Sequence, residues 1–217
     1  MSPRPYNLGR RQDQITQGRR QVLDAARALL GDTSGYAAFT VDAVARRADV
    51  ARATVYYQFA SKTGLLEAIC DDLAEEGGLG QLAVAFTTDD PTEALRRFVA
   101  VFGQFWAVDR PAMRRLRALA ALDPDFHQVI AQRDQRRRNV LTVLVERLRS
   151  DLDPDRRKRA VDFLTTLTSF ETFDSLAGPE APLEPIAAEI AALALAAVGL
   201  AAGPIDGRDG RAAPGQE

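Results

Sequence analysis

The sequence predicts an all-α protein: a small three-helix head built around a helix-turn-helix, followed by a larger helical body. Three observations carry this. No segment alternates apolar and polar residues with the β-branched enrichment of a strand. Apolar residues recur at helical spacing instead. Three Asp-Pro pairs, Asp90-Pro91, Asp123-Pro124 and Asp153-Pro154, each supply an N-cap followed by proline at the first helical position.

Taken in order, residues 1–14 are polar, contain Pro3, Pro5 and Gly9, and read as a disordered basic arm. A first helix is expected over 15–30, burying Ile15, Val22, Ala26, Leu29 and Leu30. Gly31 and Gly35 end it, and Tyr36 and Phe39 fill the core of the head. Thr40 caps a short helix that runs to Arg47 and buries Val41, Val44 and Ala45. The turn is Ala48-Asp49-Val50, and Asp49 can take the left-handed backbone that the bend needs. A second short helix over 51–59 buries Val55 and Phe59 at i, i+4, leaving Arg52, Thr54, Tyr56, Tyr57 and Gln58 for other faces. Ser61 then caps a helix over 62–76 carrying Leu65, Leu66, Ile69, Cys70 and Leu73. Gly77-Gly78 and Gly80 mark its end and a hinge. Lys62 starts that helix at the positive end of its dipole, which an anion such as phosphate would relieve.

The body is expected to hold helices over 91–108, 110–121, 124–150, 154–177 and 183–202. The domain division is therefore 15–62 for the head, 63–80 for a connecting helix and hinge, and 81–203 for the body, with 204–217 a disordered tail. The last two helices have broad apolar faces, Phe163, Leu167 and Phe170 on one and Ile186, Ile190, Leu193, Ala197 and Leu200 on the other. An aromatic cluster of Phe98, Phe102, Phe105 and Trp106 is followed by Met113, Leu116, Phe126 and His127. Glu171 is an odd charge on an apolar stretch and calls for an arginine partner, with the Arg136-Arg137-Arg138 run as the candidate, or a ligand. The run Arg136-Arg137-Arg138 reads as a solvated helix surface.

The 217 residues carry a net charge of −2, which is unevenly spread. Residues 1–62 hold ten Lys/Arg against five Asp, a net of +5, and the remainder is −7. A basic head on an acidic body is the pattern of a modular nucleic-acid binder. The single cysteine, Cys70, allows no internal disulfide and is expected to be packed in the core. No signal peptide is visible, and the apolar run Ile190–Ala202 is too short to span a bilayer, so a cytoplasmic location is expected. No metal-ligand spacing, phosphate loop or nucleophile–histidine pair supports catalysis or a cofactor.

Over 19–69 the chain resembles the N-terminal half of TetR-type bacterial transcriptional repressors, through RRQVLDAARALL, Phe39-Thr40-Val41, the helix-turn-helix and YYQFASKTGLLEAI. It departs at Asp49, where the family usually has glycine, and at Ala51, where it usually has Ser or Thr. The resemblance implies a homodimeric regulator that binds a palindromic double-stranded DNA operator and is released by a small-molecule effector. It assigns base contacts to Arg52, Thr54 and Tyr57, and phosphate contacts to Thr40, Tyr56 and Lys62. It also implies a ligand-binding and dimerisation role for the body, with a small apolar effector among Phe102, Trp106, Met113, Leu116, His127 and Glu171. The dimer would be a four-helix bundle using Phe163, Leu167, Phe170, Ile186, Ile190, Leu193 and Ala197. The rival reading is a helical interaction module whose helix-turn-helix is only architectural.

Overall fold

The computed structural model describes residues 8–32, 39–179 and 181–202, the side chains of 8–14, 84–85 and 202 excepted. Gly35, Tyr36 and the expected tail fall outside the described residues, as does the first half of the expected arm. The described chain is all-α: α1 (Leu8–Gly31), α2 (Val41–Arg47), α3 (Arg52–Phe59), α4 (Lys62–Glu76), α5 (Leu82–Ala85), α6 (Pro91–Ala107), α7 (Arg110–Leu122), α8 (Pro124–Leu148), α9 (Pro154–Leu167), α10 (Phe170–Ala177) and α11 (Glu184–Ala202).

The head folds as its local signals direct. Thr40 Oγ1 accepts from the Ala43 amide at 3.1 Å, and Ser61 Oγ accepts from the Gly64 amide at 2.9 Å. Asp49 has φ 52°, as the turn requires. Val22, Ala26 and Leu30 of α1 are buried in one apolar cluster with Val44, Val55, Leu65 and Ile69. Two backbone details had no sequence signal. Ala60, between α3 and α4, has φ 62°. A Cβ on Gly64 would lie 2.1 Å from the Phe59 carbonyl oxygen, so α4 leaves α3 at a distance only glycine permits.

In the body, α6 is central and packs against α8, α10 and α11, while α9 lies on α8 and α11. The Asp90, Asp123 and Asp153 carboxylates all cap their helices, each followed by proline at the helix start. The head docks through α1 on α7 and through α4 on α6 and α8. Arg27 of α1 fastens this joint, reaching Asp72 at 3.2 Å and Glu76 at 2.7 Å on α4, and Asp109 at 3.4 Å before α7. Arg115 adds a bond to the Asp32 carbonyl at 2.6 Å.

Four expectations are corrected. First, α1 begins at Leu8, so residues 8–14 are helical rather than part of a disordered arm, and Ile15 is exposed rather than in the core. The Gln and Arg residues there favour helix, and the amphipathic stripe only starts at Val22. Second, the expected helix over 154–177 breaks at Thr168-Ser169. Thr168 Oγ1 donates back to the Leu164 carbonyl at 2.8 Å, and Ser169 Oγ caps the new helix by accepting from the Thr172 amide at 3.3 Å. Short hydroxyl side chains compete for the backbone groups a continuous helix would use. Third, the expected hinge is a packed joint: a Cβ on Gly77 would lie 2.7 Å from Phe105 Cα. Fourth, α11 is longer than the apolar run marked in the sequence, and its window Glu184–Ala201 is long and apolar enough, by length and composition alone, to cross a membrane. It packs instead on α6 and α9, with a third of the window buried.

Candidate nucleic-acid interface and effector cavity

Helix α3 sends Val55 and Phe59 into the core and turns the rest of its surface outward. Tyr57 is 84% exposed, and Tyr56 is also exposed, while Thr54 is half-buried. Arg52 is not free: its guanidinium lies 3.2 Å from Asp42 Oδ1 on α2 and donates to the Tyr56 hydroxyl at 3.2 Å. Arg52 and Tyr56 thus stand together, with Tyr57 beside them on the same exposed helix. Thr40 is exposed at the start of α2, and Lys62 opens α4 next to the end of α3. The six expected DNA contacts therefore cluster around the α2–α3–α4 junctions. Two other head cations are already used: Arg19 sits over the Phe59 ring, 4.5 Å from its centroid, and Arg20 pairs with Asp72.

Residues 22–69 match the family described as bacterial regulatory proteins, tetR family. The chain carries a TetR-family DNA-binding domain. Over 84% of its length the chain has the fold of a solved TetR transcription regulator, and regulators of this family are not enzymes. A TetR-like transcriptional regulator from Rhodococcus sp. RHA1 is 25% identical with a TM-score of 0.64, the match covering 86% of this chain and 97% of that one. A TetR transcription regulator from Haloarcula marismortui is 19% identical with a TM-score of 0.64, over 84% of this chain and 98% of that one. The regulator PfmR from Thermus thermophilus is 23% identical with a TM-score of 0.61, over 81% and 97%. Among curated proteins, none matches the chain.

Below the TetR-type head, α4, α6, α7 and α8 enclose a cavity of about 240 Å³. Phe98, Phe102, Phe105 and Trp106 of α6 form one wall, Met113 and Leu116 of α7 another, and Cys70 and Ala74 of α4 a third. The rings are interleaved, with Phe98 and Phe102 centroids 4.7 Å apart and Phe105 and Trp106 4.4 Å apart. Trp106 Nε1 donates to the Thr168 carbonyl at 3.2 Å, using the helix break as its acceptor. Burial pushes the Cys70 thiol up to about 11. Phe102, Trp106, Met113 and Leu116 thus stand where the sequence put them.

His127 and Glu171 do not. Both are exposed and border a shallow groove on the outer side of α7 and α8. Glu171 is held by Arg117, Oε1 to Nε at 2.6 Å, rather than by the Arg136–Arg138 run. The polar wall of the cavity is instead Arg117, Arg133, Asp134, Arg136 and Arg137. Arg137 is only 6% exposed, which overturns its reading as part of a solvated surface. The missed signal was spacing: Phe126, Ile130, Arg133, Arg137, Leu141 and Leu144 recur at i+3 or i+4, so both arginines share the core face of α8. Desolvation by burial lowers the pKa of Arg137 from its ordinary value.

The expected dimer set also divides. Phe170 and Ile190 are buried inside the protomer, Phe170 with its ring 5.6 Å from Trp106, so neither lies on a free face. Leu167, Ile186 and Ala197 are half-buried. Phe163 and Leu193 stay 42% and 50% exposed. With Ala188, Ala192, Ala196 and Leu200 they form an apolar outer surface on α9 and α11.

Proposed function

We propose that this TetR-family regulator binds a palindromic operator as a homodimer and represses transcription until a small molecule enters the cavity. One observation carries the reading: α4 belongs to both sites. Its first residue, Lys62, stands at the candidate DNA surface, and two turns later Cys70 and then Ala74 form part of the cavity wall. A ligand that displaces this wall also displaces the start of the helix. The pair Arg133–Asp71, at 2.6 Å, joins α8 to the same helix and would report the change. Arg52, Thr54 and Tyr57 would read bases, with Arg52 exchanging Asp42 for a base edge, and Thr40, Tyr56 and Lys62 would hold phosphates. The apolar outer surface of α9 and α11 supports the dimer, because only a third of the strongly apolar window of α11 is buried in the protomer. The reading places the protein in the cytoplasm.

The test is selection of operator fragments from random DNA, followed by anisotropy titrations across salt. Arg52→Ala should flatten sequence preference. Lys62→Ala should weaken all sequences alike and reduce the salt slope by about 1. Equal loss on specific and random DNA for Arg52→Ala would remove it from the base contacts. Absence of any salt-dependent binding would favour the architectural module.

A further inference from the structure

We infer that the cavity takes a small apolar monocarboxylate, its carboxylate held by the Arg137 guanidinium. This rests on the effector reading above and names the chemistry of that site. Arg137 is almost wholly buried, and a buried guanidinium needs close partners. Those it has are distant: Asp134 Oδ1 at 3.3 Å, Thr168 Oγ1 at 3.4 Å and the Phe102 ring centroid at 5.8 Å. Asp134 is shared, since its other oxygen takes Arg117 at 3.0 Å. The Nε atoms of Arg137 and of Arg133 are both buried with no acceptor, and both residues line the same cavity. The wall is therefore short of negative charge and of hydrogen-bond acceptors at one place.

A carboxylate supplies both. It can take two parallel N–H bonds from one guanidinium, which is the strong form of this contact. The remaining surface, Phe98, Phe102, Phe105, Trp106 and Met113, suits hydrocarbon and offers nothing to a second charge. A volume of 240 Å³ equals the liquid share of roughly eight waters, which fits a short acyl or single-ring body. A phosphate, with more oxygens and more charge, would leave acceptors facing aromatic carbon.

The test titrates the full-length protein with octanoate, 1-octanol and octylamine, reading the fluorescence of the single tryptophan, Trp106, and the heat of binding. Octanoate should bind at least about tenfold tighter than 1-octanol, with octylamine weakest. In Arg137→Met, octanoate should fall to the level of 1-octanol while 1-octanol itself changes little. If 1-octanol matches or exceeds octanoate on the unaltered protein, the inference is overturned and an effector cavity of neutral preference remains. That comparison needs no variant and so holds even if Arg137→Met fails to fold. If neither octanoate nor 1-octanol saturates the protein, the cavity reading falls together with the inference. Selective octanoate binding that leaves operator affinity unchanged would uphold the carboxylate site and refute release by it.

Discussion

Leu193→Glu should separate two protomers without unfolding either. Leu193 is 50% exposed on the outer face of α11, and burying a whole leucine contributes ~1.5–3 kcal/mol, so about 1 kcal/mol remains to be gained in an interface. Glutamate forfeits that and adds the cost of partly desolvating a carboxylate, together about 2 kcal/mol per copy. A two-fold interface carries every substitution twice, giving about 4 kcal/mol, or roughly a thousandfold in the dimer Kd. The protomer itself should be little affected, because glutamate is as good a helix former as leucine and the site is open. The matched control is Ile190→Glu, three residues earlier and fully buried, which should unfold the bundle instead. Sedimentation over a range of concentrations, with thermal melts by circular dichroism, separates the two outcomes. An unchanged Kd for Leu193→Glu, with an unchanged melt, would place the interface elsewhere and refute this use of the outer face.

Three further predictions concern the joints and the cavity. Ala60→Gly should raise stability by ~0.5–1 kcal/mol in urea titration, since φ 62° strains any residue with a Cβ and the gain exceeds the added chain entropy; a loss would mean the strain is absent. Gly77→Ala should lower it by ~1–3 kcal/mol, because the new methyl meets Phe105 backbone at 2.7 Å and must push α4 and α6 apart; a stabilised variant would show a looser joint. Cys70 should react with a thiol reagent at pH 8 roughly a hundredfold more slowly in the native than in the denatured protein. Its pKa near 11 leaves little thiolate, and that disadvantage shrinks as pH rises towards 11. A native rate equal to the denatured rate would place the thiol in solvent.

What was legible in the sequence was local. The caps at Thr40, Ser61, Asp90, Asp123 and Asp153 act on amides two or three residues away, so the residue type nearly decides the contact. Asp49 could be named because few residues accept its backbone angle, whereas nothing about Ala60 announces a positive φ. The break at Thr168 carried no glycine or proline; the carbonyl and hydroxyl of Thr168 find Trp106 and Arg137 only once those arrive from other helices. Apolar breadth on α9 and α11 was readable, but which stripe faces inward is set by α6, and so Ile190 and Leu193 could not be told apart. Glu171 was rightly suspected of an arginine partner, but Arg117 lies 54 positions away in sequence. Arg137 was hidden by its neighbours, because three consecutive arginines look solvated until their helical phase is counted.

The Arg27 contacts bear on how such a protein could acquire a new target. Polar ties between head and body include one guanidinium that grips Asp72 and Glu76 on its own side and Asp109 across the joint, Arg115 on the Asp32 carbonyl, and Arg133 on Asp71. Of these groups, Arg27, Asp32, Asp71, Asp72 and Glu76 travel with the head and its long helix, while Asp109, Arg115 and Arg133 travel with the body. A head taken from a relative would therefore graft onto this body if it brought an arginine at the Arg27 position and an acid at the Asp71 position, with Asp109, Arg115 and Arg133 of the body to receive them. Α4 itself cannot be cut, since its second half walls the cavity. The seam for recombination runs after Gly77, where chain exchange would keep the cavity-lining half of α4 attached to the helix-turn-helix and leave the rest of the cavity to vary on its own.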